Sequence, residues 1–142
     1  MHTRRLVKGM FVTLMVLSPL SCGRRNGGKP VYPVRGQVFF LGKPTAGALV
    51  LFHPLDDPDA PGPRPHGQVE QDGTFRLTTY EVDDGAPAGA YVVTIDWRKG
   101  IPGQGRLGPA LMPAKYGTPK QSPLRATVQA ESNDLAAFQI SR

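Results

Sequence analysis

Through most of this chain apolar residues recur at every second position. Val34, Val38 and Phe40 alternate with Arg35, Gln37 and Phe39, and Ala48, Val50 and Phe52 alternate with Leu49, Leu51 and His53. Phe75, Leu77 and Thr79 alternate with Arg76 and Thr78, and Tyr91, Val93, Ile95 and Trp97 with Val92, Thr94 and Asp96. A period of two sends successive side chains to opposite faces of a strand, so the first-named residues of each set are the expected core. Segments 67–70, 124–129 and 135–141 extend the pattern, and Asp72-Gly73 marks a hairpin turn between 67–70 and 74–79. No stretch combines a helical period with caps. About seven short strands in roughly 110 residues predict an all-β protein, a single antiparallel β-sandwich spanning residues 31–142.

The N-terminus follows a different pattern. Arg4, Arg5 and Lys8 precede an apolar-to-neutral run from Met10 to Leu20, which ends at Ser21 and Cys22. A basic start, a short apolar stretch and a small residue at the cut form a secretory signal, here residues 1–21. The run is shorter than the roughly 20 residues that a membrane-spanning helix needs, and Pro19 disfavours a continuous helix. Cys22 is the only cysteine. Pro19-Leu20-Ser21-Cys22 resembles a bacterial lipobox, with Ser21 in the small position and Leu20 one place nearer the cysteine than usual. Lipid attachment at Cys22 would anchor the chain to a membrane, while ordinary cleavage nearby would leave a free thiol. A solitary thiol risks unwanted pairing in an oxidising compartment, which favours the lipidated form. Residues 22–30 then serve as a flexible tether: Gly23 to Pro30 is polar and contains no apolar side chain.

Removal of residues 1–21 changes how the charge reads. The whole chain carries 17 basic and 11 acidic residues, a formal net charge of +6. Three of the basic residues and none of the acidic ones lie in the signal, so the remaining 121 residues carry about +3. That length suits one domain. No basic stripe interleaved with aromatics occurs, so nucleic acid is not an expected partner. Arg24 and Arg25 stand beside the anchor, where they can meet anionic headgroups.

Two connections stand out. Residues 55–65 hold four prolines and three aspartates, the composition of a stiff surface loop. Residues 99–123 form the longest irregular segment, with too little alternation for a strand pair and too many Gly and Pro for a helix. These two loops are the expected contact surfaces, because loops on a rigid sheet scaffold vary without disturbing its core. Leu111, Met112 and Tyr116 can fold the longer loop onto the sheets. Tyr80, Leu111, Met112, Lys115 and Tyr116 are the candidate partner-contact residues.

Val34-Arg35-Gly36-Gln37-Val38, Gly42-Lys43-Pro44 and the segment from Gly47 to Phe52 together resemble the opening of carboxypeptidase-regulatory-like domains, which are transthyretin- or prealbumin-like β-sandwiches. Asp72-Gly73-Thr74-Phe75-Arg76-Leu77 resembles their hairpin, and the segment from Gly85 to Ile95 the loop and strand that follow. Pro113-Ala114-Lys115-Tyr116 is similar to a segment that precedes the last two strands in small bacterial lipoproteins carrying one such domain. The resemblance covers nearly the whole chain after residue 21. It implies architecture and location: an exported lipoprotein of the cell membrane or outer membrane, facing the periplasm or the surface.

Chemistry is sparser. His53 and His66 are the only histidines beyond the signal, and no His-Glu metal motif occurs. The C-terminal Gln139-Ile140-Ser141-Arg142 lacks the Tyr-Arg-Gly-Ser tail of transthyretin-like hydrolases. Asp56, Asp57 and Asp59 suit calcium by residue type, but Pro58 restricts them and the pattern of a calcium loop is missing, so a solvated acidic loop is favoured. Glu81, Asp83 and Asp84 fit either a second acidic cluster or a turn rich in side-chain-to-backbone hydrogen bonds. No catalytic residue, metal or cofactor is expected. The chain is expected to be a non-enzymatic module of the cell envelope, structural or protein-interacting, with envelope proteins or glycans as partners. A carbohydrate- or peptide-binding accessory domain is the alternative, and exposed aromatics on one sheet or loop cluster would mark it.

Overall fold

The computed structural model describes residues 28–101 and 105–142; the expected signal, Cys22 and the first part of the tether lie outside the described residues. The described chain is all-β, with one short 3-10 turn at Ala114–Gly117. In order its strands are β1 (Val31–Tyr32), β2 (Val34–Phe40), β3 (Lys43–Pro44), β4 (Leu49–Pro54), β5 (His66–Gln68), β6 (Thr74–Arg76) and β7 (Ala86–Pro87). They continue with β8 (Gly89–Asp96), β9 (Arg98–Ile101), β10 (Arg106–Ala110), β11 (Arg125–Val128), β12 (Asn133–Asp134) and β13 (Phe138–Ile140).

One sheet runs β11-β8-β4-β5 and is antiparallel throughout. The other is built on β2, with β6 and β3 antiparallel along one edge and β12 and β13 parallel along the opposite edge. Pairing is therefore not antiparallel throughout, as the alternation led one to expect. Alternation reports which face is buried and carries no information on strand direction, and a parallel partner needs only a long crossover. The chain between β2 and β12 supplies it. Arg35 and Asp134, opposite each other in the β2–β12 register, form an exposed ion pair across this join, and the guanidinium holds the Asp134 carboxyl below the usual range.

Of the expected core residues of β2, β4, β6 and β8, Val34, Val38, Val50, Phe52, Phe75, Tyr91, Val93 and Ile95 are buried in one apolar cluster. Phe40 and, just past the end of β8, Trp97 are only partly buried against it, while Val92 and Thr94, on the other face of β8, are buried as well. Phe52 of one sheet and Phe75 of the other lie 6.5 Å apart between ring centroids, and Phe52 meets Tyr91 at 5.5 Å. The hairpin predicted at Asp72-Gly73 joins the two sheets. Its first arm, β5, pairs with β4, while its second arm, β6, pairs with β2. Hydrogen bonds between His66 and Thr78, at 3.0 and 2.8 Å, close the arms on each other. At the turn the Asp72 carboxylate accepts from Thr74 N–H at 3.0 Å and from its hydroxyl at 2.6 Å, bonds that hold Asp72 below the ordinary carboxyl range.

Segment 99–123 is more ordered than its composition suggested. Its first part pairs as the β9–β10 hairpin, with Leu107 opposite Gly100 and a register shift before Ala110. This hairpin has no alternation to read because most of β10 is exposed on both faces, so burial sets no period. The 3-10 turn then packs against β8. Met112 and Tyr116 join the core, and the Tyr116 hydroxyl donates to the Ser141 carbonyl at 3.2 Å.

Candidate binding groove

The proline-rich loop leaves β4 at Pro54 and returns beside it. Leu55 N–H donates to the Ala90 carbonyl and Phe52 N–H to the Pro65 carbonyl, each at 2.9 Å, so the loop is tied down at both ends. Its four prolines restrict φ between those ties and lower the entropy lost in ordering it. A groove of about 990 Å³ runs between this loop, Tyr80, residues 87–91 and the N-terminal residues Gly28 and Lys29. That is the size of site that takes a small molecule or a short extended segment. Leu55 and Tyr80 present exposed apolar surface to it, and Lys29, Asp56 and Arg64 supply its charges.

Tyr80 is placed by the acidic turn. The Asp84 carboxylate accepts from the backbone N–H groups of Thr79, Tyr80 and Glu81 at 2.6, 2.9 and 2.8 Å. Thr78 Oγ1 accepts from Asp83 N–H at 2.9 Å. The cluster at Glu81, Asp83 and Asp84 is thus a turn built on side-chain-to-backbone bonds, with one carboxylate satisfying three donors. At the groove's other side the Tyr91 hydroxyl donates to the Pro87 carbonyl at 2.7 Å. Burial, then the nearby Asp56 and Tyr80, push its pKa up to about 12. Tyr91 therefore stays protonated and acts as a donor that ties β8 to the residues preceding it.

Under the loop lies His53. Alternation places it on the outer face of β4, yet it is only 4% exposed. The loop folds back over that face and Arg64 covers the ring. Arg64 Nη1 stands 3.1 Å from His53 Nδ1, and His53 Nε2 stands 2.9 Å from Thr94 Oγ1. A guanidinium can only donate, so Nδ1 must be the bare acceptor and Nε2 carries the proton, which it donates to Thr94. Burial, first, and the facing Arg64 charge both hold the His53 pKa below its ordinary 6.5, and Asp59 opposes them in part. Folding thus disfavours protonation of this ring. The unfolded chain takes up the proton first as pH falls, so the contribution of neutral His53 to stability is present above 6.5 and lost below it. The urea midpoint should fall from pH 7.5 to pH 5.5, before the carboxylates titrate, and His53→Gln should flatten that part of the profile.

The structure distributes the expected contact residues unevenly. Tyr80 lines the groove and is 37% exposed. Leu111 is 38% exposed and Lys115 is exposed over the Tyr116 ring, its Nζ 5.1 Å from the centroid, but neither reaches the groove. Met112 and Tyr116 are buried as core anchors of segment 99–123, which removes them from any contact surface. Leu55, Arg64 and Tyr91 enter the site instead. The proline density of 55–65 pointed to the loop, whereas nothing local in the sequence marked Arg64 as the cover of a buried ring. Asp56, Asp57 and Asp59 remain on that exposed loop, and among the described residues no three His, Cys, Asp or Glu side chains converge to hold an ion.

A second concavity of about 840 Å³ crosses the outside of β4 and the β5–β6 hairpin, with Leu49 and Leu107 exposed along it. Two surface ion pairs, Arg76–Asp83 at 3.8 Å and Arg98–Asp96 at 2.8 Å, occupy its walls. Comparison with protein-family models, with curated proteins and with solved structures gives no match to this chain.

Proposed function

We propose that this chain is a non-enzymatic, lipid-anchored module of the cell envelope whose two sheets form one transthyretin-like β-sandwich. In this proposal the groove beside the proline-rich loop takes an extended segment of a neighbouring envelope protein. The observation that carries it is the groove itself: an open, proline-stiffened channel with exposed Leu55 and Tyr80, lined at one end by the tether. Five residues separate Cys22 from Gly28, a reach of about 20 Å at most over the six steps, so an anchor at Cys22 keeps the channel close to the membrane surface. Stiff walls favour binding because little ordering entropy remains to be lost.

The Tyr91 hydroxyl at the groove and both nitrogens of His53, beneath its proline-rich wall, already have protein partners. That supports a binding role over a catalytic one. Among the described residues Tyr80 is the one exposed aromatic, which supports a protein segment over a stack of sugar rings. The motif resemblance to small bacterial lipoproteins is the basis for the anchor.

A photo-cross-linker in place of Tyr80, in the full chain within its native envelope, tests this function. The chain should enter the detergent phase on Triton X-114 partitioning and carry discrete protein adducts. Cys22→Ala should lose the detergent partition, and a cross-linker at Thr127 should give none of the same adducts. Identical adducts from both positions, or aqueous partitioning of the unmutated chain, would sink the proposal.

A further inference from the structure

We propose that His53 and Arg64 form a pH-sensitive latch, which holds the proline-rich wall of the groove closed over β4 and releases it when the imidazole takes up a proton. This is regulation of the groove described above, and the latch can be tested whether or not a partner binds there. The geometry makes the pair exclusive. With Nδ1 bare, the ring accepts a hydrogen bond from the guanidinium; with Nδ1 protonated, two donors and two positive charges face each other at 3.1 Å. The other ring nitrogen cannot relieve the conflict, because its proton is already given to Thr94. The added proton comes from solvent and stays on Nδ1. In the latch Arg64 is the group that moves: it sits on a loop, is half-buried and lines the groove into which it would swing.

The surroundings of the ring suit a switch. From the loop, Arg64 repels a proton on His53 and Asp59 attracts one. From β8 come Val92, opposite His53 in the sheet register, and Thr94; neither is charged. On β5, His66 Nδ1 bonds the Arg64 carbonyl at 2.9 Å. That nitrogen must be the donor, so protonating His66 leaves its bond intact and does not open the latch. Release would therefore follow His53 alone. Because the loop's other ties are the backbone bonds at Leu55 and Pro65 and the His66 bond to the Arg64 carbonyl, all at its two ends, losing the Arg64 side-chain contact frees the middle of the wall without unfolding the sheet.

Nitrogen and amide NMR of the full chain in detergent, between pH 7.5 and pH 4.5, decides the matter. His53 should show a single tautomer with Nε2 protonated and should titrate with a midpoint below 6.5. Amide signals of Leu55, Ala60 and Arg64 should move with that midpoint, while those of Val93 and Ile95 hold still. Arg64→Gln should raise the His53 midpoint towards 6.5 and uncouple the loop signals from it, and His66→Gln should leave the midpoint where it was. In His53→Gln the loop signals should lose this pH dependence. Loop amides that stay fixed while His53 titrates, a mixture of tautomers, or an imidazole that remains neutral until the whole domain unfolds would each overturn the latch.

Discussion

Truncating Phe75 to alanine should lower the stability of the domain by about 3–5 kcal/mol, the range found for large aromatic side chains removed from packed cores. Phe75 is 1% exposed and touches three parts of the fold at once. Its ring lies 6.5 Å from Phe52 on β4 and stacks on Phe138 of β13 at 6.3 Å. It also lies over Gly36 of β2, where a Cβ would come within 2.7 Å of the ring. The absence of a side chain at Gly36 is what lets the ring come this close to the strand. Because the cavity left by Phe75→Ala is walled by both sheets, neither can collapse into it alone. Small domains have roughly 5–15 kcal/mol in total, so the urea midpoint should fall steeply. An exposed control on an edge strand, Thr127→Ala, should move it little. Equal shifts for the two variants would mean that Phe75 does not join the sheets.

Gly85→Ala should be comparably damaging for a different reason. Gly85 has φ +100, a conformation that costs a residue with a side chain on the order of 1–3 kcal/mol before any contact is considered. A Cβ there would also overlap the carbonyl group of Tyr32 and stand 2.8 Å from Pro33 N. These are backbone atoms and cannot rotate aside. Relief requires separating β1 from β7, paired at Tyr32 and Ala86, or disturbing the Gly85 N–H bond to the Leu77 carbonyl at 2.8 Å. The variant should unfold at a much lower urea concentration. Amide signals of residues 31–32 and 78–86 should shift most. Gly47→Ala is the informative comparison, because it carries φ +82 with open space around it and isolates the conformational cost from the clash. If the two variants lose the same stability, the packing of residue 85 against Tyr32 contributes nothing.

The strands were legible because burial of one face imprints a period of two on the chain. Val50 and Phe52, or Val93 and Ile95, announce themselves that way, and Asp72-Gly73 announces its turn by chemistry. His53 was not legible, since its place in the alternation is on the outer face and only a loop arriving from later in the chain buries it. Met112 and Tyr116 sit in a segment without period, which leaves both contact and packing of the loop onto the sheets open to them; burial by a loop follows no period, and only the fold makes them packing residues.

Local sequence determined that this protein is all-β, which side chains of its main strands turn inward, and where several of its turns fall. Those properties depend on neighbours one to four residues apart, where φ preferences, turn hydrogen bonds and alternation act. Tertiary structure alone decided that β12 and β13 run parallel to β2, that the β5–β6 hairpin spans two sheets, and that Arg64 covers His53. Each joins residues brought together by chain closure rather than by spacing; Arg35 and Asp134 are 99 residues apart. The groove belongs to the second kind, because its walls meet only after the proline-rich loop, the Asp84 turn and the start of β8 have been assembled around one core.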